Sequence, residues 1–345
     1  MRYFHNDYNE ICHPKVLEKI HALSGMQMGG YSIDSCCEAA ADQIRTLCEM
    51  DDATVHFLVG GTQTNLTVIA AALRPYQGVI AADSGHVSVH ETGAIEATGH
   101  KVIALPAVDG KLSADQVAQT ARSQSICMDA EHMVQPKMVY ISQSTELGTV
   151  YTRKELEELR RVCDQYHLWL YIDGARLGYA LTAEDCDVTL ADMARLSDVF
   201  YIGGTKVGAM FGEAVVFSDP VLATDFRYMI KQRGGLLAKG WLLGAQFQAL
   251  LADDLYFKIS QHANKMADLI RETLDKKNCP MLVRNKTNQV FPIISHEALE
   301  QIGKNFTYAE IEQIDDSHKA VRFCTSWATR EKDVLALCEE LEKNI

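Results

Sequence analysis

Between residues 55 and 217, short apolar runs alternate with stretches whose apolar positions recur at helical spacing. Runs at 55–59, 79–82, 101–105, 138–142, 168–173, 198–202 and 214–217 predict seven strands. Stretches at 39–47, 66–73, 89–97, 113–123 and 153–166 predict helices before and between them. Strands apolar almost throughout are buried on both faces, so the alternation predicts a mostly parallel sheet covered by helices, the run 214–217 being the candidate for an antiparallel member. A long helical stretch at 220–277 follows, interrupted near Arg233-Gly234-Gly235. Strands at 281–283, 290–294 and 320–323, with helices at 308–314 and 331–342, predict a smaller α+β unit at the end.

The chain is therefore read as α/β in three parts. Residues 1–40 are an N-terminal segment serving the small domain and the site, 41–250 a large ligand-binding domain, and 251–345 a small C-terminal α+β domain. A chain of 345 residues with 47% hydrophobic positions can bury a sizeable core.

Charge narrows the partners. A formal net charge of −13 gives no support to binding nucleic acid or anionic membrane, so an anionic ligand needs a local site. The ten cysteines are scattered without a CxxC pair or a zinc-like Cys/His spacing, which predicts reduced thiols and no metal. The first residues lack the apolar core of a signal peptide and eighteen apolar residues nowhere run together; the expectation is a soluble cytoplasmic protein.

Two strand ends carry the candidate chemistry. Trp169-Leu170-Tyr171-Ile172 runs into Asp173-Gly174-Ala175-Arg176, and Val199-Phe200-Tyr201-Ile202 runs into Gly203-Gly204-Thr205-Lys206. A carboxylate and an amine at the tips of neighbouring buried strands are what pyridoxal phosphate (PLP) requires: the lysine forms a Schiff base with its aldehyde, and the acid keeps the pyridine nitrogen protonated. A plain structural reading pairs Asp173 with Arg176 and leaves Lys206 on an exposed loop. Gly60-Gly61-Thr62-Gln63-Thr64-Asn65 sits between a strand and a helix, where free amides favour a phosphate; the alternative is a tight turn capped by Thr62 or Thr64. His86 follows the strand at 79–82 and is expected at the same carboxyl edge, able to stack on a flat ring or to be a surface histidine.

In this order the four elements resemble fold-type I PLP enzymes, and within them the threonine aldolase/β-eliminating lyase family. The resemblance implies a homodimer or homotetramer with shared sites. It places the cofactor on Lys206, Asp173 at the ring nitrogen, His86 on the ring face, and Gly61, Thr62 and Gln63 at the phosphate, with Thr205 alongside. Arg233, or Lys239, would be the phosphate-binding cation. It further implies that Arg176, Arg322 and Asn6 steady the substrate carboxylate and that Tyr31 enters from a neighbouring subunit. The implied reaction is cleavage of L-threonine or L-allo-threonine to glycine and acetaldehyde; β-elimination, racemisation and a non-catalytic scaffold are the alternatives. Where many members carry Glu-Asn-Thr-His-Asn, this chain has Ser142-Gln143-Ser144-Thr145-Glu146, so the histidine expected at the substrate hydroxyl is missing. His86, Ser144 and Glu146 remain open as groups that could hold the proton-accepting water.

Overall fold

The structure is a computed structural model and describes residues 1–345. Its strands are β1 (Arg2–Tyr3), β2 (Thr54–Leu58), β3 (Gln77–Ala82), β4 (Val102–Leu105), β5 (Gln135–Ser142), β6 (Trp169–Asp173), β7 (Val199–Gly203), β8 (Glu213–Phe217), β9 (Met281–Val283), β10 (Gln289–Ser295), β11 (Phe306–Thr307), β12 (Ala309–Gln313) and β13 (His318–Cys324). Seven of them form one sheet in the order β2-β8-β7-β6-β5-β3-β4. All neighbours in it are parallel except at β8, which runs antiparallel to both β2 and β7.

The alternation of side chains explains why these strands read as unbroken apolar runs. Tyr140, Tyr171 and Tyr201 pack into one buried cluster with Leu58, Val79 and Val215. Their neighbours Ile141, Ile172 and Ile202 pack into another, on the opposite face, with Leu156, Leu243 and Phe247. Helix Arg153–Tyr166 covers that second face and starts on a capping box between Thr152 and Glu155.

A second sheet, β12-β13-β10-β9, is antiparallel throughout, and its core gathers Phe4, Ile270, Ile294, Phe323 and Leu337. Helix Leu255–Lys276 belongs to both cores: Ile259 and Ala263 pack into the larger one, Met266, Ile270 and Leu274 into the smaller. The N-terminal segment is likewise divided, with Phe4 in the small core and Val16 and Ala40 in the large one.

Three local expectations are corrected. The helix expected at 89–97 is a short turn His86–Val89 and a 3-10 turn Glu96–Thr98, because Thr92 and Gly93 take positive φ (53° and 70°) and end the spiral. The helix expected at 308–314 is instead β12, an edge strand whose Glu310, Ile311, Glu312 and Gln313 are exposed and show no buried stripe. The helix His296–Gly303, started by a Ser295 cap, was not expected. The 220–277 stretch divides into helices Pro220–Ala223, Phe226–Gln232, Trp241–Leu251 and Leu255–Lys276, with the expected break after Arg233 among its interruptions.

Candidate functional site

The strands bring their ends together at one edge. Asp173 ends β6 directly opposite Ser142 of β5. Glu213 opens β8 opposite both Gly203 and Leu58, because β8 enters the sheet from this side. Gly174 permits the closest approach: a Cβ there would lie 1.7 Å from the carbonyl oxygen of Tyr201, so only glycine lets the Asp173 turn pack against β7.

Asp173 is buried and makes no ion pair with Arg176. Its Oδ2 accepts from Tyr140 Oη (2.6 Å) and Asn65 Nδ2 (3.1 Å), and its Oδ1 from Tyr201 Oη (2.5 Å) and the Ala175 N–H (2.9 Å). Burial works against its charge, but the nearby His86 and the hydrogen bonds from Tyr140, Tyr201 and Ala175 outweigh it and hold the carboxyl below its ordinary range. The two phenols cannot compete for that charge, since burial and the Asp173 charge raise both well above the usual tyrosine value.

Lys206 follows β7 in a loop fixed at its backbone, with Tyr179 Oη donating to the Lys206 carbonyl oxygen (2.5 Å) and Tyr256 Oη to that of Gly203 (2.9 Å). Burial, with the Arg176 charge added, lowers the proton affinity of its amine, while Asp7, Asp173 and Glu213 pull the other way. One basic nitrogen thus lies within electrostatic reach of Asp173. Thr205 spends its hydroxyl inside the protein, donating to Glu213 Oε1 (2.9 Å) and accepting from the Gly212 N–H (3.0 Å). Glu213 also accepts from the Gly204 N–H (3.1 Å), and burial pushes its carboxyl up to about 8.

His86 stands where β3 ends and is half-buried. Its backbone N–H donates to Glu146 Oε1 (2.9 Å), which also accepts from Ser142 Oγ (2.7 Å), and its Nδ1 meets Glu91 Oε1 (2.8 Å). A second histidine, His90, lies 5.7 Å away ring to ring. Burial, then the charges of His86, Arg322 and Lys206, depress its proton affinity.

The arginines divide in function. Arg176 donates through Nε (2.7 Å) and Nη2 (3.0 Å) to the two oxygens of Asp7, which also accepts from Asn288 Nδ2 (2.9 Å). Despite burial, the Arg176 and Lys206 charges and the hydrogen bonds from Arg176 and Asn288 lower Asp7 to about 2. Arg322 donates to Gln289 Oε1 (3.1 Å) and the His5 carbonyl oxygen (3.0 Å), while its buried Nε finds no partner. Asn6 is buried beside this cluster, but its Oδ1 accepts the Tyr8 N–H in a local turn (3.0 Å). Tyr31 makes no hydrogen bond to these residues: 44% exposed, it lies under the Lys231 ammonium, and its carbonyl oxygen accepts from Arg227.

The opposite end suits an anion. No side chain caps helix Gly61–Ala72, and its first backbone bond runs from Thr64 N–H to Gly60 O (3.0 Å), leaving the amides of Gly61, Thr62 and Gln63 free. Gln63 Nε2 donates to the Arg233 carbonyl oxygen (3.1 Å), and the Arg233 Nε is buried without a partner. These residues fit PLP: free amides and an orphaned guanidinium nitrogen for its phosphate, an ionised carboxylate for its pyridine nitrogen, and an amine of lowered proton affinity for its aldehyde.

Several residues of the site escaped the sequence reading: Asp7, Asn65, Glu91, His90, Glu213, Tyr140 and Tyr201. A signal existed for the tyrosines, because three strands end on the same pattern, Tyr140-Ile141-Ser142, Tyr171-Ile172-Asp173 and Tyr201-Ile202-Gly203. Asp7 lies in the same Asn6-Asp7-Tyr8 element as the singled-out Asn6, but nothing local pointed to its partner Arg176, 169 positions away.

Residues 19–297 match the family model described as beta-eliminating lyase. Over 343 residues the chain is 32% identical to a low specificity L-threonine aldolase of Pseudomonas aeruginosa, covering 97% of this chain and 95% of that protein. A low specificity L-threonine aldolase of Escherichia coli is 26% identical over 79% of each chain. Among solved structures, a threonine aldolase of Leishmania major superposes with a TM-score of 0.97 at 45% identity, covering 99% of each chain. An aspartate aminotransferase of Thermus thermophilus, at 15% identity, 99% and 91% coverage and a TM-score of 0.74, shares the fold.

Proposed function

The chain belongs to the beta-eliminating lyase family, and on that premise we propose that it is a PLP-dependent aldolase cleaving L-threonine or L-allo-threonine to glycine and acetaldehyde. The observation that carries this reading is the pairing of Asp173, held ionised by two tyrosine hydroxyls, with the Lys206 amine in electrostatic reach of it. Its relatives named as threonine aldolases support the substrate.

In the bound state the cofactor supplies an electron sink that weakens the bonds of the amino acid's α-carbon. Lys206 presents an amine that burial keeps inclined to be neutral, and so nucleophilic. Gly61, Thr62, Gln63 and Arg233 hold the phosphate and Asp173 the ring nitrogen. Asp7 occupies one edge of the Arg176 guanidinium and fixes its plane. The remaining edge of Arg176, with Arg322, orients the substrate carboxylate and thereby selects which α-carbon bond breaks. Removal of the β-hydroxyl proton cleaves Cα–Cβ and releases acetaldehyde, and a proton returned to the α-carbon gives glycine. His86, with the His90 ring 5.7 Å from it, is assigned to receive that proton; Glu146 is already engaged by Ser142 and the His86 backbone.

Tyr31, 44% exposed, is assigned to a neighbouring subunit's site, a reading that goes with a homodimer or a tetramer of two dimers. Ten free cysteines and the acidic charge support a reducing, cytoplasmic setting, and no helix is long and apolar enough to cross a membrane.

Purified protein incubated with L-threonine is expected to release acetaldehyde without 2-oxobutyrate and to show a visible absorbance band that disappears in Lys206→Ala. 2-Oxobutyrate without acetaldehyde would overturn the aldolase reading in favour of β-elimination.

A further inference from the structure

Glu91 is a charged side chain in a place that needs a reason. Its side chain is 0% exposed, and it follows the short turn that carries His86. Its Oε1 meets two nitrogens, Asn65 Nδ2 at 2.6 Å and His86 Nδ1 at 2.8 Å, while Oε2 is buried without any partner. An unpaired carboxylate oxygen out of water is costly, so the bonds made by the other oxygen have to hold the group in place.

The orientation of Asn65 is decided by its neighbours. Tyr171 Oη donates to Asn65 Oδ1 (2.6 Å), so the amide nitrogen must face the other way, where it bridges Glu91 Oε1 and Asp173 Oδ2 (3.1 Å). A carboxylate oxygen only accepts, so the histidine nitrogen facing it carries the proton. The ring's backbone is pinned independently, through the His86 N–H on Glu146.

We propose that Glu91 is a positioning residue: it fixes the proton of His86 on Nδ1, leaves Nε2 as the lone-pair nitrogen turned to the pocket, and through Asn65 ties that ring to the Asp173 carboxylate. The His86 ring then arrives pre-oriented as the acceptor of the substrate hydroxyl proton, directly or through one water. The missing histidine of the Ser142-Gln143-Ser144-Thr145-Glu146 segment leaves this task to the residues at His86. The ionisable groups facing the ring are Glu91, Asp173, His90 and Glu146.

The acceptor role rests on the aldol-cleavage reading; the fixed tautomer does not. The test uses the holoenzyme and the variants Glu91→Leu and Glu91→Asp. Leucine offers Nδ1 no acceptor and frees the histidine proton to move to Nε2, so kcat is expected to fall at least about 100-fold while KM stays within about threefold. Aspartate keeps the charge and is expected to recover at least roughly a tenth of the wild-type kcat. The second readout is independent of turnover: carbethoxylation of His86 by diethyl pyrocarbonate, followed by peptide mass spectrometry, which the 35% exposure of the side chain permits. In Glu91→Leu that modification is expected to slow by about tenfold, because the exposed nitrogen then carries the proton. A Glu91→Leu enzyme that keeps wild-type kcat, or that loses kcat while His86 reacts at the wild-type rate, overturns the proposal. If wild type releases no acetaldehyde, the functional reading fails, and the modification rates still decide the role of Glu91.

Discussion

Replacing Asp7 by asparagine removes one charge from the point where three parts of the chain meet. Asp7 comes from the N-terminal segment, Arg176 from the turn after β6, and Asn288 from the loop before β10; their contacts are 2.7, 3.0 and 2.9 Å. Asparagine keeps the volume but leaves the Arg176 cation buried without a counter-charge and turns an NH2 towards one of its donors. Breaking a buried pair in this way costs about 3–5 kcal/mol. Linkage gives a consistent lower figure: lowering the Asp7 carboxyl from 3.8 to about 2 corresponds to roughly 2 kcal/mol of stability at neutral pH. The sign follows from the lowered value, so this contribution is fully present above the unfolded value of 3.8 and is lost as pH falls through about 2.

For a chain of 345 residues the larger cost lowers the melting temperature by roughly 4–7 °C at pH 7. Scanning calorimetry of Asp7→Asn beside wild type measures it, and the gap should narrow as the buffer is taken towards pH 3. Arg176 loses its fixed plane as well, so KM for the amino acid should rise more than kcat falls. The double variant Asp7→Asn, Arg176→Met removes both charges and is expected to regain much of the loss. A melting temperature within about 1 °C of wild type for Asp7→Asn would refute the reasoning, since no buried cation can lose its partner so cheaply.

Two further expectations come from neighbouring groups. Glu213, raised from 4.5 to about 8, keeps a proton that the unfolded chain gives up, so it costs stability as pH rises through that window. Glu213→Gln should flatten the fall in melting temperature across it, and an unchanged slope would show that Glu213 ionises normally. Arg233→Ala removes a guanidinium whose buried Nε has no partner, and at about 1.5–3 kcal/mol for a hydrogen bond to a charged group the dissociation constant for PLP should rise roughly ten- to hundredfold. Titration of cofactor-free protein followed by absorbance measures it, and an affinity equal to wild type would remove Arg233 from the phosphate site.

The candidate site was legible in the sequence wherever a single segment carries its chemistry. Asp173-Gly174-Ala175-Arg176 and Gly203-Gly204-Thr205-Lys206 end buried strands, and Gly60-Gly61-Thr62-Gln63 opens a helix with no capping side chain. The expected helix at 308–314 failed for the converse reason: Glu310, Ile311, Glu312 and Gln313 lie exposed on an edge strand, so burial stamps no period on them. The ion pair chosen by Arg176 was also hidden. Asp173, three positions away in sequence, is already satisfied by two tyrosine hydroxyls, and the guanidinium pairs instead with Asp7, 169 positions away.

What the sequence determined by itself is the order of the strands' apolar runs and the residues at their tips, because burial on both faces and the need for glycine at close approach act on neighbouring positions. The tertiary structure decided which groups those tips meet. Reversal of β8 brings Glu213 to the Lys206 loop, the fold carries Asn65 across to Asp173, and Glu91 is set against His86. Hydrogen bonds and charges act over a few ångströms of space, and the residues they join at this site lie up to 317 positions apart along the chain, so that pairing exists only once the chain has folded.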